Sequence, residues 1–522
     1  MAGDQAEKTT VRLAELMAAL SIATDLGMGQ PVEYALQSCI LAVRLGEKLG
    51  LAEEALRGVY YQALLRFIGC NVETHILAAL IGDEIAIRQQ LAPVDSTDIR
   101  ATLRIVTRTI WQAQQGRSML ELVRTMARGL LQSPRILQEV FAGHCEVAQR
   151  LAERFGFSGS VIMALGQLYE RWDGKGLPWG LKGEVIETAV LVVTLAQDMV
   201  LFHRLGGMEA ATAVAQQRRA SQYAPWIVDC FCQHAPHLLA GLDSDPTWDR
   251  VMALEPGSHQ VLTAVQLDKA CQAMANFVDI KTPFTMGHSS RVAELAAAAA
   301  QRMGLPAGDV TAVRRAGWLH DIGKTGVSAG IWMKTEPLTE KEWEKIRLHP
   351  YYTERILQRP SPLSQWGQIA ACHHERLDGS GYYRGITADA LMPVARILAA
   401  ANTYQTKLEE RPHRPALTPE EAATALQQEV RAGRLDSEAV HHVLAAAGHA
   451  PSRVRPALVA GLSQRQIEVL RLVAQGMTIK QVAAQLVIAP KTADNHIQHI
   501  YNKIGVTTRA GATLFAMEHN LL

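Results

Sequence analysis

A chain of 522 residues is too long for one ordinary core, so two to four domains are expected. With 48% apolar and 20% charged residues it has the composition of a soluble globular protein, and its wealth of Ala and Leu with only short β-branched runs favours helices throughout. The formal net charge of +1 excludes any whole-chain electrostatic footprint for nucleic acid, so such a surface has to be local.

The N-terminus, MAGDQAEKTT, lacks the basic-then-apolar pattern of a secretory signal. The longest apolar stretch, 189–202, is broken by Gln197 and Asp198 and reads as a buried helix, not a membrane span. Seven cysteines are scattered without a CxxC pair, as in a protein with reduced core thiols. Cys372, beside two histidines, is the one candidate for redox sensitivity. These features place the chain in the cytoplasm with no membrane partner.

A first unit spans about 1–250 and is repeated later in the chain. LLRFIGC at 64–70 aligns with WLHDIGK at 318–324, a shift of 254 positions that also sets Tyr34 on His288 and Asp25 on Asp279. LYERWDGKGLPWG at 168–180 aligns with HHERLDGSGYYRG at 373–385, a shift of 205 that sets His144 on His349. The first copy is therefore about 49 residues longer between Cys70 and His144. It keeps the apolar pattern and the Gly-rich turn but replaces the polar cluster: Arg66 and Phe67 stand for His320 and Asp321, and Leu168 and Tyr169 for His373 and His374. One remaining imidazole does not hold a divalent metal, so His144 reads as an ordinary hydrogen-bonded histidine.

The second unit, about 251–450, carries the chemistry: GHSSR at 287–291, HDIGK at 320–324, HP at 349–350 and HHERLDGSGY at 373–382. Neighbouring His320–Asp321 and His373–His374 on helices would point about 100° apart, letting these pairs converge with His288 and His349 on one polar pocket. An aspartate shared between two cations suits a two-metal site that activates water for in-line attack on phosphorus. Lys324 is placed to neutralise a phosphate oxygen. On these motifs, and on MPVARILAAANTYQ and ERPHRPALTPEEA beyond them, the unit resembles an HD-GYP domain of the HD metal-dependent phosphohydrolases. The resemblance implies an all-helical fold, two or three metals (often iron or manganese) and hydrolysis of cyclic di-GMP or a related cyclic dinucleotide. It carries the metal positions onto His288, His320, Asp321, His349, His373, His374 and Asn402, with Asp321 and Lys324 as catalytic positions. Three departures stand out. Asn402 replaces the usual aspartate, so the metal at His288, His320 and Asp321 should be held more weakly. The signature reads Gly381–Tyr382–Tyr383 without its proline. Phe284 occupies the place of the glutamate that a third metal would need, so two metals are expected.

A basic linker leads to a last unit, 451–522. Ser463 with Gln466 and Thr478 with Gln481 form capping boxes, and Pro490 opens a third helix with an apolar stripe of Ala493, Ile497, Ile500 and Ile504. Two short capped helices before a longer one with a polar outer face make a helix-turn-helix. From LSQRQIEVL through NKIGVTTRAGA the segment resembles the LuxR-type DNA-binding domain. That implies a four-helix module, with Lys491, Thr492, Asn495, His496 and His499 facing DNA and Lys503 reaching phosphate; its modest excess of basic residues implies that it acts as a dimer. Ala489 stands where a capping serine is usual.

The expected fold is thus all-α: two HD-type helical domains in tandem, the first degenerate, and a C-terminal helix-turn-helix module. The leading expectation is a DNA-binding transcription regulator, most simply a homodimer, whose metal pocket binds a cyclic dinucleotide or related nucleotide signal. The alternative is an active cyclic di-GMP phosphodiesterase with an accessory DNA-binding domain.

Overall fold

The computed structural model describes residues 10–113, 138–448 and 459–522, apart from positions 73, 96, 158, 244–245, 360 and 520. Among the described residues every regular element is helical, and extended pairings occur only as isolated bridges such as Arg12 with Val261. The expected all-α class is the observed one.

Small residues decide how the second unit packs. The helix His288–Arg302 buries Val292, Ala293, Ala296, Ala297, Ala299 and Ala300. It lies so close to the helix Ala307–Leu319 that a Cβ on Gly317 would sit 2.6 Å from the Ala293 Cα. This contact brings the end of one helix, where His320 lies, beside the start of the other, where His288 lies. The start is fixed by Gly287 at φ 71° and by Asp279, which accepts from the Ser289 amide at 2.8 Å.

The first unit repeats these devices at the positions that the sequence shifts require. Asp25 accepts from the Ala35 amide at 3.1 Å, as Asp279 does from Ser289. Gly69 and Gly323 pass so near His144 and His349 that a Cβ would lie 2.0 Å from the carbonyl oxygen in each case. Glu170 and Glu375 each accept two amides of the Gly-rich turn, and Gly176 and Gly381 each lie where a side chain would meet backbone. The extra residues of the first copy include the helices Thr74–Ile81, Glu84–Leu91 and Ile99–Ala113.

That extra segment reaches into the second unit. Glu84, fully buried, accepts from the Ser328 hydroxyl at 2.6 Å and the Ala329 amide at 2.8 Å. The Lys281 ammonium lies 3.6 Å from Glu84 and donates to the Thr325 carbonyl at 2.8 Å. The two units share one continuous apolar core. The long apolar helix Thr188–Gln217 is a core helix whose first half is buried, and it breaks at Gly206 and Gly207. By length and composition it is the one described helix that would pass as a membrane span.

The last unit has four helices, Gln464–Ala474, Ile479–Leu486, Pro490–Ile504 and Arg509–Glu518, around a core of its own that includes Leu470, Val482, Ile500 and Phe515. Both capping boxes form, and Ala489 caps nothing with its side chain. Its fourth helix has two apolar faces. Ala512, Phe515 and Ala516 join the unit's own core, while Ala510, Leu514 and Met517 join the core of the preceding units. The dock is polar at its rim: Glu146 accepts from the Thr507 amide at 3.0 Å and the Thr508 hydroxyl at 2.6 Å, and Arg154 pairs with Glu518 at 3.1 Å.

Candidate metal centre and DNA-binding face

Five elements deliver the pocket's side chains. His288 opens its helix, and Asn402 sits inside Pro393–Leu408. His349 opens His349–Leu357. The adjacent pairs lie otherwise than the sequence suggested. His320 caps the end of Ala307–Leu319 with Asp321 starting a 3-10 turn, and His373–His374 follow the helix Ser361–Ala371. Helix ends, not helix faces, converge, because a turn can aim two neighbours at one point where a helix spreads them.

Three imidazoles are oriented by the same rule. Nδ1 of His320, His349 and His373 faces the carbonyl oxygen three residues earlier, at 2.7, 2.6 and 2.7 Å. A carbonyl only accepts, so each Nδ1 carries the proton and each Nε2 presents a lone pair to the pocket. Two of these lone pairs then oppose each other, His349 Nε2 and His373 Nε2 being 3.0 Å apart. The buried His320 Nε2 and Asp321 Oδ1 have no hydrogen-bond partner. Buried polar atoms left this way are costly unless a cation joins them.

Asp321 divides the pocket in two. Its Oδ2 lies 3.5 Å from His288 Nε2 and 3.3 Å from His320 Nε2, and its Oδ1 lies 3.6 Å from His349 Nε2 and 3.5 Å from His373 Nε2. Two groups of donor atoms, each within 4.8 Å, result: His288, His320 and Asp321, and His349, His373 and His374. Either could hold a divalent cation, with Asp321 between them. Asn402 presents its Oδ1 3.1 Å from His288 Nε2, at the first group only.

Electrostatics put His320, His349, His373, His374 and Asp321 in their ligand forms. Burial pushes His320 down to about 4 and His349 to about 3, and holds His373 and His374 well below the usual imidazole range. Burial raises the Asp321 carboxyl, but His320, Lys324, His288 and His373 outweigh it and hold it well below the ordinary carboxylate range. Neutral imidazoles around an ionised aspartate are what a divalent ion binds.

Lys324 is turned onto Asp321, and its ammonium sits 5.1 Å from the Trp332 ring centroid. The ring of Tyr382 stacks on His374 at 4.6 Å. Cys372 is buried and its thiol is pushed up to about 11 by burial, which makes it an inert core group in place of a redox-sensitive one. In the first copy His144 Nδ1 lies 3.3 Å from the Tyr169 hydroxyl, and burial takes His144 down to about 3.

One partner of the pocket escaped the sequence reading. His288 Nδ1 lies 2.9 Å from Oε2 of Glu409. Glu409 directly follows the last residue of Pro393–Leu408, the helix that carries Asn402, seven positions after it. That spacing was the available signal, but an acid at a helix end is common enough to pass unnoticed.

In the last unit Lys491, Thr492, Asn495 and His499 are exposed on the outer face of the third helix, with His496 half-buried. Ala493, Ile497, Ile500 and Ile504 are buried on the opposite face. Lys503 is exposed, but its ammonium donates to the Gly461 carbonyl at 2.8 Å and to Gln466 at 2.9 Å.

The chain is similar to known families and proteins in both of these units. Residues 272–439 match the HD domain family and residues 460–516 match the luxR family of bacterial regulatory proteins. The chain is 31% identical over 435 residues to 3′3′-cGAMP-specific phosphodiesterase 3 of Vibrio cholerae, covering 83% of this chain and 94% of that protein. It is 39% identical over 140 residues to a cyclic di-GMP phosphodiesterase of Thermotoga maritima, covering 26% of this chain and 38% of that protein. A crystal structure of a cyclic GMP-AMP specific phosphodiesterase of V. cholerae superposes with a TM-score of 0.60 at 27% identity, covering 85% of this chain and 99% of that one.

Proposed function

This chain belongs to the HD-GYP family of HD-domain phosphohydrolases and carries a LuxR-type DNA-binding domain at its C-terminal end, and from that premise we propose that it is a metal-dependent phosphodiesterase of cyclic dinucleotides. The observation that carries this reading is Asp321, whose two oxygens face two separate sets of buried Nε2 lone pairs. His288, His320, Asp321 and the Asn402 amide would hold one ion, and Asp321, His349, His373 and His374 the other. Iron or manganese is the expected metal, with the Asn402 site the weaker. Bound there, two divalent ions supply water activation near neutral pH and neutralise phosphodiester charge. Lys324 swings from Asp321 to a phosphate oxygen when substrate enters. Tyr382 keeps the His374 ring in place. The names of the V. cholerae and T. maritima relatives point to 3′3′-cGAMP and cyclic di-GMP as the substrates to try first.

The DNA-binding unit gives the enzyme an address in the cytoplasm, with Lys491, Thr492, Asn495, His496 and His499 toward bases and backbone. Lys503 would have to leave Gly461 and Gln466 to reach phosphate. Pairing of two chains would supply the second half-site that a module of such modest charge needs.

Asn402 favours a second reading, a transcription regulator that binds the nucleotide without turning it over. An amide coordinates but brings no charge to the site that must activate water. Purified protein loaded with Mn²⁺ or Fe²⁺ and assayed on both dinucleotides separates the two. The phosphodiesterase reading expects turnover that vanishes in His320→Ala and rises in Asn402→Asp. Tight nucleotide binding by metal-loaded wild type without turnover overturns it in favour of the regulator.

A further inference from the structure

Of the four imidazoles that turn Nε2 toward Asp321, three are oriented by neutral backbone carbonyls and one, His288, by a carboxylate. Glu409 is nine-tenths buried. Besides His288 it accepts from Arg291 at 2.8 Å, Arg411 at 2.7 Å and Gln405 at 2.9 Å. Of these four, the imidazole with a carboxylate behind it is thus the one that faces Asn402, where the carboxylate of the inner pocket is missing.

We propose that Glu409 is a positioning residue that supplies, from behind His288, the negative charge that Asn402 does not supply in front. The inference rests on the metal reading given above. A carboxylate that takes the Nδ1 proton's hydrogen bond fixes the ring, keeps Nε2 free, and makes that nitrogen a stronger donor to a cation than a neutral carbonyl would. The two arginines do not cancel this effect. The Arg291 side chain is 34% exposed, so water screens its charge, and although the Arg411 side chain is only 13% exposed and offsets part of the negative charge, the carboxylate touches the imidazole directly. Burying such a cluster only to tie a loop to a helix would be a poor use of charge, since an apolar contact of similar volume is often as stable.

In the first copy Arg204 stands where Glu409 does, so that position carries no carboxylate. At the equivalent positions Arg204 donates to Gln37 at 2.7 Å, so the clasp between the two helices persists with its polarity exchanged. There Tyr34 stands for His288 and donates to the Gln197 carbonyl at 2.8 Å. A negative charge at this position accompanies the imidazole and is absent where the imidazole is absent.

The test uses the full chain, stripped with chelator and titrated with Mn²⁺ by equilibrium dialysis with the bound metal counted. Wild type, E409Q, N402D, the double variant and E409D are compared, and thermal melts of the metal-free proteins check folding. The expected result is that E409Q keeps one ion and weakens the other about 10–100-fold. N402D in the E409Q background restores the second ion to the wild-type range, and E409D, which keeps the charge, holds it better than E409Q. Wild-type affinity at both sites in E409Q overturns the proposal and leaves the metal reading standing. A loss that N402D does not restore reduces Glu409 to a structural clasp and overturns it too, as does a wild type that holds a single ion. A wild type that binds no manganese sinks the metal reading, and the inference with it.

Discussion

His144 and His349 are one position of a repeated unit with two outcomes. His349 sets its Nε2 against that of His373, whereas His144 meets the phenol of Tyr169. Burial holds His144 near 3 in the folded chain against 6.5 for an ordinary histidine. Between those values the unfolded chain binds a proton that the folded chain refuses. The neutral form is therefore fully stable above about pH 6.5, and stability is lost as pH falls toward 3. Replacing His144 with Gln should flatten the acid limb of unfolding free energy against pH by up to roughly 1.4 kcal/mol per pH unit. Denaturant titrations of both proteins at several pH values check this, and parallel slopes would refute it. The ligand residue types were legible in the sequence because histidines and acids at such spacings are rare. Glu409 was not, since its role depends on a neighbour 121 residues away.

At the scale of elements, caps and glycines were readable and the convergence of helix ends was not. Ser463 and Thr478 accept the amides of Gln466 and Gln481 as their spacing requires, because a cap is a local hydrogen bond. Ala489 begins the third helix of the last unit without one. Ala489→Ser should stabilise the last unit by about 0.5–1 kcal/mol, and Ser463→Ala should cost about 1 kcal/mol, both measured by thermal unfolding. Lys491→Ala should weaken DNA binding evenly across sequences, whereas Asn495→Ala should relax sequence preference, as read by binding titrations on varied duplexes. The Gly of HDIGK is explained only by packing: any side chain on Gly323 would collide with the His349 carbonyl. The paired residues His320–Asp321 read as helical because they follow an apolar helix pattern, and nothing local announces that the helix stops between them.

Over the whole molecule, the degenerate copy is a structural partner of the copy that keeps the histidines. Its Glu84 is the fully buried counterpart of Lys281 and holds the segment that follows HDIGK. Glu84→Gln leaves a buried ammonium without its carboxylate and should destabilise the protein by about 3–5 kcal/mol in chemical denaturation. The DNA-binding unit is joined to both copies through Ala510, Leu514 and Met517 and through Glu146 and Arg154. Glu146→Ala removes three acceptor contacts to the last unit and should raise amide hydrogen exchange over Thr507–Glu518, with the core of the second unit unchanged.

By itself the sequence determined the helical class, the repeat, the set of candidate ligands and the four-helix DNA-binding unit. The helical class and the capped helices are carried by local periodicity and short spacings, the repeat by its two sequence shifts, and the full ligand set and four-helix module by resemblance to known families. The tertiary structure alone decided that Asp321 stands between two donor sets, that Glu409 backs His288, and that the last helix is buried against both copies. These depend on which helix ends meet in space, and that is settled by the packing of small residues such as Ala293 against Gly317 rather than by any local pattern.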